Sequence, residues 1–126
     1  MSEQEKRSYN NAANQNILIF SCSGGADVGY LSDLAARKMM ADGHGKMFCL
    51  AGIGGNVEPI LKATRNADKI LVIDGCPVDC AKKTLEKQGF LGFQQIRITD
   101  IGFEKGKTEI NDESVATAAA HGVKMI

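Results

Sequence analysis

Apolar residues along this chain come in two rhythms. Two short unbroken runs, residues 17–20 (ILIF) and 70–73 (ILVI), suit strands buried on both faces, because a strand with one wet face would alternate. After the first run, Val28, Leu31, Leu34, Ala35, Met39 and Met40 recur at helical spacing, which predicts a helix over 26–41 stopped by Asp42-Gly43-His44-Gly45. Residues 47–51 predict a second strand that carries Cys49, followed by Gly52-Ile53-Gly54-Gly55 and a helix over 57–65 with Pro59 in its first turn. After the second run, Asp74-Gly75 close the strand, and Pro77 suits the first turn of a helix that starts at about Cys76 and ends before Gly89. Residues 95–99 (QIRIT) alternate more and predict an outer strand. A polar loop over 100–110 then leads to a last helix over 111–121, ended by Gly122. The terminal VKMI reads equally as a frayed helix end or as a short edge strand.

Strands alternating with helices imply an α/β three-layer sandwich around a mainly parallel sheet, flavodoxin- or Rossmann-like. The sheet has four strands, or five if VKMI pairs. In flavodoxin-like order the first strand lies between the second and the third. Residues 1–15 are polar and aperiodic and are expected to form a disordered leader, with one domain over 16–126. A chain of 126 residues, 44% hydrophobic, can build one core and is too short for two.

Fifteen basic residues balance fifteen acidic ones without a Lys/Arg block, so neither a nucleic acid nor an anionic membrane is the expected partner. No apolar stretch is long enough to span a bilayer, and the first residues lack the apolar core of a signal peptide. The expected location is the cytoplasm. In a reducing compartment, four cysteines point to a metal site or to reactive thiols rather than to disulfides.

Cys22, Cys49 and Cys76 recur at even intervals of about one strand plus its return helix, each near the carboxyl end of a predicted strand. Open parallel sheets bind ligands outside that edge, at the point where strand order reverses. With neighbouring strands about 4.8 Å apart, the three cysteines start within roughly 5 to 10 Å of one another. Cys76 is expected at a helix N-cap with Cys80 one turn further in, so that both sulfurs share a face near the positive end of the helix dipole, where thiolate is favoured. Four thiolates complete a tetrahedral zinc shell.

A single cysteine is more often a small buried hydrophobe than a ligand, and Cys49, flanked by Met47, Phe48, Leu50 and Ala51, is the most open to that reading. Joint placement of four at one edge favours a metal. Zinc leads, and the same quartet would serve an iron–sulfur cluster. The alternative is a thiol or metal-thiolate enzyme in which Cys76 or Cys80 does persulfide or redox chemistry on a small thiol substrate. Gly52-Ile53-Gly54-Gly55 is neither a dinucleotide fingerprint nor a Walker loop, and residues 23–30 lack the cation that a cysteine phosphatase needs. His44 and His121 flank glycines at helix ends and are read as caps. Asp27, Asp74 and Asp79 are read as caps or turn formers, and Lys82 and Lys83 would offset the charge of a four-thiolate centre.

Four segments together resemble the DGC domain family, named for an Asp-Gly-Cys motif that stands here as Asp74-Gly75-Cys76. They are CSGGADVGYLSDLAARKM from Cys22, CLAGIGG from Cys49, IDGCPVDCAKK from Ile73 and TDIGFEKGK from Thr99. The resemblance implies a small bacterial or archaeal zinc-binding protein of undefined role. It also implies the ligand set Cys22, Cys49, Cys76 and Cys80. The partners expected of such a chain are a metal ion and a protein or a small thiol.

Overall fold

A computed structural model describes residues 15–126. The leader expected over residues 1–15 lies outside the described residues except for Gln15.

Four strands, β1 (Ile17–Ser21), β2 (Lys46–Met47), β3 (Lys69–Asp74) and β4 (Gln94–Arg97), form an all-parallel sheet in the order β2-β1-β3-β4. The first strand therefore sits between the second and third, as expected. Helices α1 (Asp27–Ala41) and α5 (Asp112–Val123) cover one face. Helices α2 (Leu50–Gly54), α3 (Glu58–Arg65) and α4 (Cys80–Lys87) cover the other. The unbroken apolar runs divide between these layers by the two-residue strand period. Ile19, Leu71 and Ile73 join the α1/α5 core, whereas Leu18, Phe20 and Val72 join the α2–α4 core. Every residue of β1 is buried.

On α1 the buried stripe of Val28, Leu31, Ala35 and Met39 meets small residues of α5, among them Ala118, Ala119 and Gly122. A Cβ on Gly122 would stand 2.6 Å from the Met39 sulfur, so this glycine is there for the close approach of two helices. It does not end α5, which runs one residue further to Val123. VKMI forms no strand. The α5 N-terminus is fixed by a reciprocal cap between Asn111 and Ser114.

Other boundaries differ from the sequence expectation: the strand expected over 95–99 stops at Arg97, and Ile98–Asp100 form a short 3-10 helix that buries Ile98 in the α1/α5 core. The second strand stops at Met47, and the glycine-rich segment after it forms α2 instead of a loop. Ile53 is fully buried there, and Gly52 admits Ile60 to a position 2.7 Å from where its own Cβ would be. The helix expected from Cys76 begins four residues later, at Cys80. Its first amide groups are satisfied from a distance: Asp74, buried at the end of β3, accepts from the N–H groups of Ala81 at 2.8 Å and Lys82 at 3.1 Å. Residues 76–79 are thereby left to form a turn, closed by the Asp79 N–H donating to the Cys76 carbonyl.

Candidate functional site

All four cysteines lie at the carboxyl edge of the sheet and are free thiols. Cys22 directly follows β1 and prolongs its pairing with β3 through an N–H donated to the Ile73 carbonyl at 3.1 Å. Its sulfur accepts the Gly75 N–H at 3.3 Å and lies 3.4 Å from the Ser32 hydroxyl. Ser32 is fully buried on α1 and donates to the Gly29 carbonyl, so its oxygen faces Cys22 as an anchored partner. Cys49 does not lie within a strand. It is the exposed N-cap of α2, and its sulfur accepts the Gly52 N–H at 3.3 Å.

Cys22 and Cys49 open onto one cleft of about 710 Å³ above β1 and β2, walled by Asp33, Arg37 and Met40 of α1 on one side and by Leu50, Ala51 and Gly54 of α2 on the other. Met47, Phe48 and Thr84 complete its lining. The crevice between β1 and β3, where strand order reverses, is instead closed by backbone. A Cβ on Gly75 would stand 2.8 Å from the Gly29 nitrogen, and one on Gly29 would stand 2.6 Å from the Gly24 carbonyl oxygen. Three glycines thus press the loops that carry Cys22 and Cys76 against the start of α1.

Cys76 and Cys80 do not form the pair expected from one shared helix turn. Cys76 precedes the helix and packs, half-buried, against the α1/α5 core, with the Lys105 ammonium 3.8 Å from its sulfur. Cys80 is the exposed first residue of α4, one turn before Thr84 and so on the side of the cleft. Among the described residues no three His, Cys, Asp or Glu side chains gather closely enough to hold a metal ion.

A family model for the DGC domain matches residues 18–122. The chain belongs to the DGC domain family. Among curated proteins it is similar to the anaerobic and virulence modulator AnvM of Pseudomonas aeruginosa, at 30% identity over 88 residues, covering 70% of this chain and 67% of that protein. No solved structure matches the chain. Among the described residues no helix is long and apolar enough to cross a membrane.

In this DGC domain the aspartate of the naming motif is a structural cap rather than a ligand. Asp74 is 1% exposed, and besides holding α4 it accepts from the Gln95 amide at 2.9 Å. Asp79, which takes a left-handed backbone at φ 58°, is held by Arg97 through both carboxylate oxygens, at 2.7 and 2.8 Å, and by Gln95. Arg97's hydrogen bonds lower the Asp79 carboxyl to about 2. Asp27 accepts from the N–H groups of Gly106 and Thr108, both at 2.9 Å, and these bonds hold its carboxyl below the ordinary aspartate range. That clamp fixes the loop carrying Lys105. Asp74 and Asp27 therefore do the capping and loop-closing work expected of them, whereas the Asp79 side chain makes no cap hydrogen bond and pairs with Arg97 and Gln95 instead.

Sequence reading missed Lys105 as a neighbour of Cys76, and it missed Arg37, which reaches the Cys22 cleft from far along α1 and is paired there with Asp33. The spacing of Arg37 from Val28 and Leu31 would have placed it on α1, but only the β1-β2 pairing tells which part of that helix overhangs Cys22.

Proposed function

We propose that this DGC-domain protein is a cytoplasmic, thiolate-based zinc-binding protein, with Cys22, Cys49, Cys76 and Cys80 as the residues that would hold the ion. The observation that carries the reading is the donor set: four free thiols at one sheet edge. Such donors fit zinc chemically. Positions fit less closely, because Cys76 packs towards the α1/α5 side while Cys22 packs towards α2–α4, so a closed shell requires the loop over 75–79 to turn. Zinc bound by four thiolates supplies a redox-inert cross-link between the sheet-edge loops. A role of this kind, regulatory rather than catalytic, is in keeping with a relative described as a modulator. A protein partner or a small thiol would meet the exposed edge beside it.

The test is metal analysis of protein purified anaerobically without added zinc, with each cysteine changed to serine in turn. About one equivalent of zinc per chain, lowered by every substitution, is expected. A metal-free protein with native circular dichroism that takes up no zinc overturns the reading.

A second reading, thiol chemistry at Cys76, is favoured by the Lys105 ammonium beside that sulfur, the kind of cation that marks reactive cysteines. Alkylation at Cys76 should then slow in Lys105→Met. Equal rates dismiss it.

A further inference from the structure

The cleft above β1 and β2 is lined by sulfur of two kinds. Cys22 and Cys49 contribute thiols, and Met40 and Met47 contribute thioethers. Both thiol sulfurs are already oriented by the protein, each receiving one backbone N–H at 3.3 Å, from Gly75 and Gly52 respectively. Hydrogen bonds to the ligating atoms are the usual mark of a supported metal ligand. Met40 is oriented in the same way: its sulfur accepts the Met47 N–H at 3.3 Å, which pins a normally flexible side chain to the cleft wall and leaves a second lone pair free.

Zinc cannot close its shell on two thiols, whereas a soft monovalent ion needs no more than two or three sulfur donors, and thiolate with thioether is the combination that selects it. Phe48, Leu50 and Ala51 bring apolar surface beside the sulfurs, which suits an ion that holds little water, while Ser21, Ser23 and Thr84 add only hydroxyls to the wall. Arg37 is the one cation among the lining residues.

We propose that this cleft binds a soft monovalent metal ion of the Cu(I) class through the thiolates of Cys22 and Cys49, with the Met40 thioether beside them. On binding, two S–H bonds break and two copper–sulfur bonds form. The two protons go to solvent. Copper enters and stays as Cu(I), so no electron changes hands. One positive ion between two thiolates leaves a net charge of −1, beside a cleft wall whose Arg37 and Asp33 are paired with each other. The inference deepens the metal-binding reading and shares two thiols with it, but it needs neither Cys76 nor Cys80.

The experiment is an anaerobic Cu(I) titration of the reduced, metal-free protein against a chromophoric Cu(I) chelator, run beside a zinc titration against a zinc chelator. Wild type should hold one Cu(I) per chain. Cys22→Ser and Cys49→Ser should each weaken it by at least about 100-fold, and Met40→Leu by roughly tenfold, the scale of losses when metal-site groups are removed. Cys76→Ser and Cys80→Ser should leave Cu(I) binding unchanged while lowering zinc uptake. Serine is itself a good N-cap at position 49 and leucine conserves volume at position 40, so native far-UV circular dichroism is expected of both variants. Failure of wild type to retain Cu(I), or an equal loss in Cys80→Ser and Cys49→Ser, overturns the proposal. Cu(I) held without any zinc uptake supports it and removes only the zinc reading; zinc held without Cu(I) does the reverse.

Discussion

Replacing Asp74 with asparagine changes one oxygen into an amino group and tests whether the carboxylate holds α4 in place. In the folded protein three donors converge on this side chain, the N–H of Ala81, the N–H of Lys82 and the Gln95 amide. An asparagine can keep its oxygen towards Ala81, but its NH₂ then faces two other donors. Gln95 can turn its own oxygen inward only by giving up the bond from its amide to Asp79. One main-chain N–H at the start of α4 is left without a partner whichever way the amides turn. A buried donor without a partner costs about 1–3 kcal/mol, and the loss of charge-assisted bonds adds to this, so a destabilisation of about 2–4 kcal/mol is expected. For a domain of this size that corresponds to a fall in Tm of roughly 10 °C. Urea unfolding at neutral pH, followed by far-UV circular dichroism, measures it. The slope should be unchanged and the midpoint lower, and Cys80, as the first residue of the loosened helix, should react faster with an alkylating agent. A variant within about 0.5 kcal/mol of wild type, the spread of ordinary surface changes, would refute Asp74 as the anchor of α4.

Gly75→Ala should cost more than a cavity-neutral change, because its Cβ would meet main-chain atoms of Val28 and Gly29 at 2.8 to 2.9 Å and neither can yield without moving α1; a loss of about 1–3 kcal/mol by thermal unfolding is expected. Asn111→Ala removes the acceptor of the α5 cap and should cost about 1 kcal/mol, read by the same assay. Asp79 is held at about 2 when folded, below its ordinary value of 3.8, so its contribution is complete above about pH 4 and is lost as the pH falls towards 2. Arg97→Gln should therefore flatten that part of the acid-unfolding profile while lowering stability at neutral pH, and an unchanged acid limb would show the pair to be idle.

The strands were legible because residues buried on both faces leave an unbroken apolar run, and β1 and β3 have no other way to be covered. The alternation of strands and helices gave the parallel sheet, and its order is the flavodoxin-like one, with β1 between β2 and β3. Cys49 was harder to place. Residues 47–51 look the same as the end of a strand or the start of a helix, and only the burial of Ile53 against α3 settles it. The late start of α4 was hidden for a different reason, since it depends on Asp74 reaching across seven positions to Ala81 and on Arg97 holding Asp79 from eighteen positions away. Lys105 comes to Cys76 on a loop tied down by Asp27, a contact spanning 79 positions to Gly106. No local pattern encodes such a contact.

The central pair of the sheet also sets an order of assembly. β1 and β3 meet through residues as far apart as Asn16 and Asp68, 52 positions along the chain, and closing a loop of that length costs about 3.5 kcal/mol before any burial offsets it. β2, although made earlier, is a two-residue edge strand that has little to hold it until that centre exists. During synthesis Cys22 and Cys49 therefore leave the ribosome well before the strand that completes the setting of Cys22 through the Gly75 N–H. A chain ended at residue 68 should carry both thiols without a cooperative unfolding transition. On the metal-binding reading proposed above, loading of the sheet-edge thiols comes after β3 is made.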